Sequence, residues 1–251
     1  MFADLTLAAL ISRMLALLVG MTFHEFMHNF VAWQMGDPTP EREGRLTLNP
    51  LVHINWLGFL MFAVVGFGVL GTAPIHPNLM NYPRVRWADR LTRVQRLGVS
   101  VLAGPLANLI VAAVFAVPFR ILLAAAPSLI MSSGSRVLPS LGTILIDMVQ
   151  WNVLLFVFNL IPLGPLDGRY ILGMFLPPQM YYQYENFQNQ YGMFILFGLI
   201  LLSFFAPAFN IFGLLIGQPS GALTRLLLGL SLIHISEPTR LLSISYAVFC
   251  L

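Results

Sequence analysis

Two histidines and a glutamate lie close together at the end of the first apolar run, in the stretch His24-Glu25-Phe26-Met27-His28. Residues four apart share one face of an α-helix, about 5 to 6 Å apart, so the two imidazoles can bind the same metal ion. Glu25 lies beside that pair, where a carboxylate can accept a proton from a metal-activated water. The pattern predicts a catalytic metal site, and the alternatives are a chance match or a structural polar cluster.

A catalytic zinc site usually has three protein ligands, so one ligand is missing from this stretch. Asp167 is the best candidate among the ten acidic residues, because it follows a helix-breaking Pro-Leu-Gly-Pro run at the end of an apolar segment. An acid on unwound backbone at membrane depth is tolerated where it lines a polar cavity. The alternative is that Asp167 caps the helix that begins at Gly168.

The elements that must position these residues are transmembrane helices. Hydrophobic residues make up 58% of the 251 residues and charged residues only 9%, which is outside the range of soluble domains. A span needs about 20 mostly apolar residues, and such runs lie near residues 5–23, 97–119, 141–163 and 191–217. We expect an all-α polytopic membrane protein, a bundle of about four to six transmembrane helices with a small membrane-associated β element or a re-entrant loop.

Segments outside these runs determine the rest of the organisation. The alternating residues 44–49, GRLTLN, favour a short strand, whereas residues 55–71 are short and glycine-rich for a span. Residues 231–251 resemble a translated sequencing-adapter read-through, and a divergent terminal helix is the alternative. We therefore expect one integral membrane domain over residues 1–230 and a non-native tail after it. The first apolar run is expected to be a retained span, because no small-residue cleavage site follows it.

Four motifs, in order between residues 20 and 176, resemble the site-2 protease family of intramembrane zinc metalloproteases. They are HExxH at residues 24–28, GRLTLNPxxH at 44–53, AGPxxN at 103–108, and NxxP leading to LDG at 159–168. The resemblance is to the compact members without a PDZ-sized insertion. It implies that zinc is held by His24, His28 and Asp167, with Glu25 as the base. One departure follows the second motif, where residues 53–58, HINWLG, lack an acid and a proline that many relatives have.

Two further residues are candidates for binding or supporting the substrate. His53 lies in a loop returning toward the site, where it either hydrogen-bonds the substrate or the zinc-bound water, or makes a structural bond within the loop. Asn159, about one helical turn before Pro162, holds either a substrate strand or the unwound backbone. Asn108 is expected to make a hydrogen bond in helix packing, and His76 to lie at the surface.

The number of membrane crossings between the two site segments and the distribution of the arginines together predict the orientation in the membrane. The motif at residues 24–28 and Asp167 both lie at the exit ends of their spans, so they meet only if residues 55–71 re-enter without crossing. The side where they would meet carries most of the arginines that flank the spans, and by the positive-inside rule it is cytoplasmic. We expect a multi-pass protein of the bacterial inner membrane with its active site toward the cytoplasmic face.

These inferences predict a zinc-dependent endopeptidase that cleaves a peptide bond in or near a transmembrane segment. The expected partners are a membrane protein substrate and the lipid bilayer, and nucleic acid is excluded because the net charge of +3 comes from membrane-flanking arginines. A membrane zinc protease with a glutamate as third ligand is disfavoured, since only Glu185 and Glu237 follow residue 43. The alternatives that are not enzymes are a metal-ion transporter and a catalytically inactive scaffold. Converging ligands argue against the first and an intact Glu25 against the second.

Overall fold

The computed structural model describes residues 6–59, 71, 73–132, 134–205, 211 and 213–229, and most of these are helical. The α-helices along them are α1 (Leu7–Gln34), α2 (Thr39–Arg42), α3 (Pro50–His53), α4 (Arg93–Ala125), α5 (Pro127–Met131), α6 (Leu141–Asn159), α7 (Gly168–Gly173), α8 (Pro178–Phe187), α9 (Met193–Phe205) and α10 (Gln218–Leu228). Short 3-10 helices cover Pro77–Leu79 and Arg86–Arg90, and π-helical segments cover Gln188–Gly192 and Gly213–Gly217.

Helices α1, α4 and α6 are long and apolar enough to cross a membrane. They coincide with three of the expected runs, and α1 continues about three turns beyond the predicted run, so that it carries the whole His-Glu-x-x-His motif. The fourth run, residues 191–217, contains α9, but residues 206–210 and 212 lie outside the described part of the chain. Residues 60–70 and 231–251, on which two further predictions depend, also lie outside it.

The chain divides into two compact units. The first consists of Met1–Leu17, Leu109–Phe158 and Phe194–Leu251. Its core is an apolar cluster from α4, α5, α6 and α10, formed by Ala112, Ala116, Phe119, Ile130, Leu145, Val149, Val153 and Leu228. The members on α4 and α6 recur every three or four residues, which puts them on one face of each helix. The small alanines on α4 allow close helix packing.

The second unit consists of Leu18–Asn108 and Asn159–Met193, and it contains the metal-binding motif. Its polar loop after residue 72 is fixed to α4 by the buried Arg96. The guanidinium of Arg96 donates to the carbonyl oxygens of Met80 at 2.7 Å and Ala88 at 3.0 Å. Met80 and Ala88 in turn pack against the end of α1 in a small apolar cluster. One buried cation thus holds the loop in place by bonding its carbonyls, including that of Ala88, which also accepts from the backbone N–H of Leu91.

Residues 44–49 form an irregular turn and not the expected strand. Asn49 accepts a hydrogen bond from the backbone of Leu51 and so caps α3, while its own N–H donates to Thr47 Oγ1 at 3.2 Å. Such local bonds from Thr and Asn side chains compete with strand pairing. The β pairing seen among the described residues is an isolated antiparallel bridge between Ile54 and Gly71.

Candidate metal centre

The second half of α1 carries a row of buried polar residues. His24, Glu25 and His28 are each 3 to 4% exposed, and Asn29 is fully buried. The four-residue spacing of the histidines puts both rings on the side of α1 that faces α4. Buried polar groups in an apolar helix are costly unless they have partners, and α4 supplies partners for the two histidines.

Asn108 on α4 fixes the orientation of His24. The Asn108 amide nitrogen donates to the carbonyl oxygen of Gly20 at 3.1 Å, so the amide oxygen must be the atom that faces His24. That oxygen lies 2.6 Å from His24 Nδ1 and can only accept a hydrogen bond. His24 Nδ1 therefore carries the proton, and the lone pair is on Nε2.

A backbone carbonyl on α4 orients His28 in the same way. His28 Nδ1 lies 3.1 Å from the carbonyl oxygen of Ser100, which can only accept, so Nε2 again has the lone pair. One turn further along α4, Gly104 lies directly against both rings. A Cβ atom at position 104 would overlap the His28 ring and lie 2.9 Å from Cε1 of His24. The absence of a side chain at Gly104 is therefore a requirement of the site.

Asp167 meets the two histidines from the loop between α6 and α7. It occupies the position before α7, but its side chain makes no capping hydrogen bond, which removes the capping alternative. Its Oδ2 atom instead lies 3.2 Å from His24 Nε2 and 3.3 Å from His28 Nε2. The two Nε2 atoms are 2.9 Å apart.

The donor set fits a zinc ion. Two imidazole lone pairs and a carboxylate oxygen converge, and no hydrogen-bond partner for Asp167 Oδ2 is found among the described residues. Three electron-pair donors this close together are unfavourable without a cation between them. Two nitrogens and one oxygen suit zinc, and ligand atoms around a tetrahedral zinc are about 3.3 Å apart, close to the observed separations. His24, His28 and Asp167 also form the one group of this kind that the described residues contain.

Glu25 lies at the same place without joining that group. Its carboxylate interacts electrostatically with His28, His24, Asp167 and His53. Its Oε2 atom is buried and has no hydrogen-bond partner among the described residues. The backbone of Gly71 also lies close, because a Cβ atom there would be 2.5 Å from Glu25 Oε1. A buried carboxylate with a free oxygen beside a metal site can accept a proton from water.

The known proteins that match this sequence are named as zinc metalloproteases. The chain is 36% identical over 169 residues to "Putative zinc metalloprotease YwhC" of Bacillus subtilis, a match that spans 65% of this chain and 68% of that protein. The chain belongs to the site-2 protease family of zinc metalloproteases.

Two more distant matches carry a second name. "Putative zinc metalloprotease Rip2" of Mycolicibacterium smegmatis is 34% identical over 167 residues, and its namesake in Mycobacterium tuberculosis is 33% identical over 168 residues. The chain spans 56% of the length of each of these two relatives. No family model and no solved structure matches the chain.

His53, from the second motif of this site-2 protease, makes the structural bond that was one of its two predicted roles. Its ring is 2% exposed, and Nε2 donates to the carbonyl oxygen of Thr47 at 2.6 Å. Nδ1 then has the lone pair, and it is buried with no partner among the described residues. His53 therefore keeps one free acceptor close to Glu25.

The remaining residues singled out from the sequence are Asn159, His76 and Asn108. Asn159 is half-buried at the last turn of α6, and its predicted role in holding substrate or backbone stays a prediction. His76 is exposed, as expected. Asn108 makes the expected bond between helices, but sequence reasoning missed that it bonds His24. The sequence held a signal for it, since a lone Asn in an apolar span usually has a specific partner. The Ser100 carbonyl has no such signal.

Proposed function

We propose that this protein is a zinc-dependent intramembrane endopeptidase that hydrolyses a peptide bond in or near a transmembrane segment of a membrane protein. The observation that carries the proposal is the convergence of His24 Nε2, His28 Nε2 and Asp167 Oδ2, beside the buried carboxylate of Glu25. The membership of the family supports the reaction class. The site's location on a helix apolar enough to cross a membrane supports the substrate class.

Each site residue has a separate role in this proposal. Zinc held by His24, His28 and Asp167 would supply Lewis acidity, which polarises a peptide carbonyl and makes a water molecule more acidic. Glu25 Oε2 accepts the proton of that water and then delivers it to the leaving amine. Asn108 and the Ser100 carbonyl keep both Nδ1 atoms protonated, so that both Nε2 atoms face the metal.

The position of the site along α1 supports a substrate that comes from the membrane. His24 lies about 26 Å along the helix axis from Leu7, within the thickness of about 30 Å of a bilayer core. A transmembrane helix has its carbonyls hydrogen-bonded internally, so it must unwind locally before cleavage. Because residues 44–49 form no strand, the extended backbone at Ile54 and Gly71, next to Glu25, is the better candidate edge for an unwound segment to pair with.

We further propose that residues 55–71 re-enter the membrane without crossing it. The bridge between Ile54 and Gly71 supports this, because the chain returns at Gly71 to the level from which it left. The 16 residues between them reach only about 24 Å as a helix, and crossing a core of about 30 Å and returning would need about 60 Å of helix. The arginine-rich loops then share the metal-binding side, which makes that side the cytoplasmic face of the inner membrane.

The proposed protease domain covers residues 1–230. The residues of helices α1 and α4 are divided between the two compact units, which supports a single integral membrane domain. α10 ends at Leu228, and Gly229 follows in the left-handed conformation with φ 71°, a common helix stop. Residues 231–251 would then be a tail outside the domain.

Replacing Glu25 tests the proposed reaction. Glu25→Gln keeps the size of the side chain but cannot accept a proton, so we expect zinc content to stay normal and hydrolysis to fall by about 1,000-fold or more. The measurement is a proteomic comparison of membrane fractions from cells with the native protein or the variant, in which new peptide termini name the substrate. Glu43→Gln, which changes an exposed glutamate, is the matched control. Equal cleavage in native and Glu25→Gln membranes would contradict the proposal.

Cysteine labelling tests the proposed topology. Single cysteines at the exposed positions Asn78 and Ser132, in a Cys250→Ser background, are treated with a membrane-impermeant thiol reagent on intact cells. We expect labelling at position 132 only, and labelling at both after permeabilisation. Labelling at position 78 in intact cells would show that residues 55–71 cross the membrane.

A further inference from the structure

The loop that carries Asp167 has few hydrogen bonds of its own. Pro162 and Pro165 have no N–H to donate, and the backbone bonds within the loop are those from Leu163 to Ile161 at 2.8 Å and from Leu166 to Leu163 at 2.9 Å. The carbonyl of Pro162 and the N–H of Gly164 therefore need partners from elsewhere in the chain.

Gln188 supplies both partners. Its Oε1 atom accepts from the N–H of Gly164 at 2.8 Å, and its Nε2 atom donates to the carbonyl oxygen of Pro162 at 2.9 Å. The side chain is 4% exposed. Because Gly164 N can only donate and Pro162 O can only accept, the orientation of the amide is fixed. The Gln188 amide thus pairs with this loop as the backbone of a neighbouring strand would.

The local structure around Gln188 brings it to the loop. Gln188–Gly192 is a π-helical segment between α8 and α9. Such segments are rare in proteins, and those that occur are often found at functional sites. Gly192 lies against the loop, since a Cβ atom there would be 3.0 Å from Gly164 N and 2.6 Å from Gln188 Oε1. A residue larger than glycine at position 192 would push the segment away from the loop.

Two neighbours of Gln188 bind the same part of the chain. Tyr184 donates its hydroxyl to the carbonyl oxygen of Pro162 at 3.1 Å, and a tyrosine hydroxyl is protonated at neutral pH. Arg169, two residues after Asp167, donates to Asn189 Oδ1 at 2.6 Å. The segment from Tyr184 to Gly192 therefore contacts the loop before Asp167 and the first turn of α7 after it.

We infer that Gln188 is a positioning residue that sets the place of Asp167 at the metal centre through the backbone of residues 162–164. The inference rests on the proposed function, in which Asp167 is a zinc ligand. Asp167 Oδ2 has no hydrogen-bond partner of its own among the described residues. Its position is therefore set by its backbone, which is held on one side by α7, through the bonds from Tyr170 and Ile171 to the Asp167 carbonyl, and on the other side by the loop that Gln188 bonds from 24 residues away. Partners that orient metal ligands typically contribute 10- to 100-fold to metal affinity.

A glutamine-to-methionine pair of variants tests the inference. Gln188→Met keeps the length of the side chain but removes both hydrogen bonds, and we expect the zinc dissociation constant, measured by competition with a chelator, to rise about 10-fold or more. Gln190→Met is the matched control, because Gln190 is exposed on the same π-helical segment. It should bind zinc normally. The unfolding temperature of both metal-free variants is measured in parallel, and a normal zinc affinity in Gln188→Met overturns the inference.

A double-mutant cycle separates positioning from general stability. If Gln188 acts through Asp167, Gln188→Met should have no further effect on zinc affinity in an Asp167→Ala background. Cobalt(II) replacing zinc should also show an altered ligand-field spectrum in Gln188→Met and a native one in Gln190→Met. Additive losses in the double variant would mean that Gln188 stabilises the fold without positioning the ligand, which overturns the inference.

The outcomes also distinguish this inference from the proposed function. If Asp167→Ala keeps its zinc, the ligand assignment fails, and with it the premise. If Asp167→Ala loses zinc and Gln188→Met does not, only the positioning role fails. Should Gln188→Met not fold, Gln188→Glu serves instead, because it keeps the acceptor for Gly164 and places a second acceptor against the Pro162 carbonyl. A smaller but measurable loss of zinc affinity is expected there, and a native affinity overturns the inference.

Discussion

The helix-borne and loop-borne parts of the proposed zinc site are held in different ways. His24 and His28 lie on α1, each with its Nδ1 bonded directly to an acceptor on α4, and their side chains are 4% and 6% exposed. Asp167 lies on a loop, its side chain is 18% exposed, and its Oδ2 has no hydrogen-bond partner among the described residues. The histidines are thus oriented atom by atom, and the carboxylate is placed through its backbone.

This difference shows how precision is achieved on two kinds of scaffold. A helix fixes the spacing of its side chains, so that one hydrogen bond per ring is enough to set the direction of the lone pair. A proline-containing loop fixes little by itself, and it needs contacts from a distant segment, here Gln188 and Tyr184. The loop side of the site should therefore be the side on which remote substitutions act.

Removing a zinc ligand should have the largest effect on zinc binding. The effect should be equally large for a ligand on the helix and for the ligand on the loop. We expect Asp167→Ala and His28→Ala each to weaken zinc binding by roughly 100-fold or more, because each removes one of three protein ligands. Zinc content after dialysis and competition with a chelator measure the effect. Asp89→Ala, which removes an exposed acid, is the control and should bind zinc normally. Full zinc content in Asp167→Ala would exclude this residue from the site.

Replacing Asn108 tests the atom-by-atom support of the helix side. Asn108→Leu removes the acceptor for His24 Nδ1, and we expect zinc affinity to fall about 10- to 100-fold. Asn108→Asp keeps an acceptor there but places a second acceptor against the Gly20 carbonyl, so it should lose less affinity than Asn108→Leu. Equal losses in the two variants would show that Asn108 acts through helix packing alone.

The sequence could predict the helix side of the site because its geometry is local. The spacing of His24 and His28 determines that both rings share a face, and the three spanning helices follow from apolar runs. Asp167 could be singled out because prolines interrupt the helix before it. The same local reasoning failed at residues 44–49, where the alternation favours a strand but the side chains of Thr47 and Asn49 bond the backbone instead.

The supporting contacts could not be predicted, for two physical reasons. Every residue has a carbonyl, so nothing in the sequence distinguishes the one at Ser100 that orients His28. Gln188 lies 24 residues from Gly164 in a polar, aromatic stretch, and a glutamine there is typical of a solvated helix face. It is buried at the start of the π-helical segment Gln188–Gly192, which no side-chain periodicity indicates.

Gly71→Ala should change zinc affinity least among these variants. It therefore tests whether the zinc ligands and the proposed base are supported separately. A Cβ atom at position 71 would lie 2.5 Å from Oε1 and 2.8 Å from Cδ of Glu25, and its three nearest atoms all belong to Glu25, so the Glu25 carboxylate is the group that must move first. We expect zinc affinity within about twofold of native and hydrolysis reduced by about 10-fold, because a proton acceptor works only within hydrogen-bond reach of the water. Gly198→Ala, where a Cβ atom has open space in α9, is the control and should leave both quantities unchanged. A loss of zinc in Gly71→Ala would show that the backbone at Gly71 supports the ligands as well as the base, and the two sides of the site would then share a support.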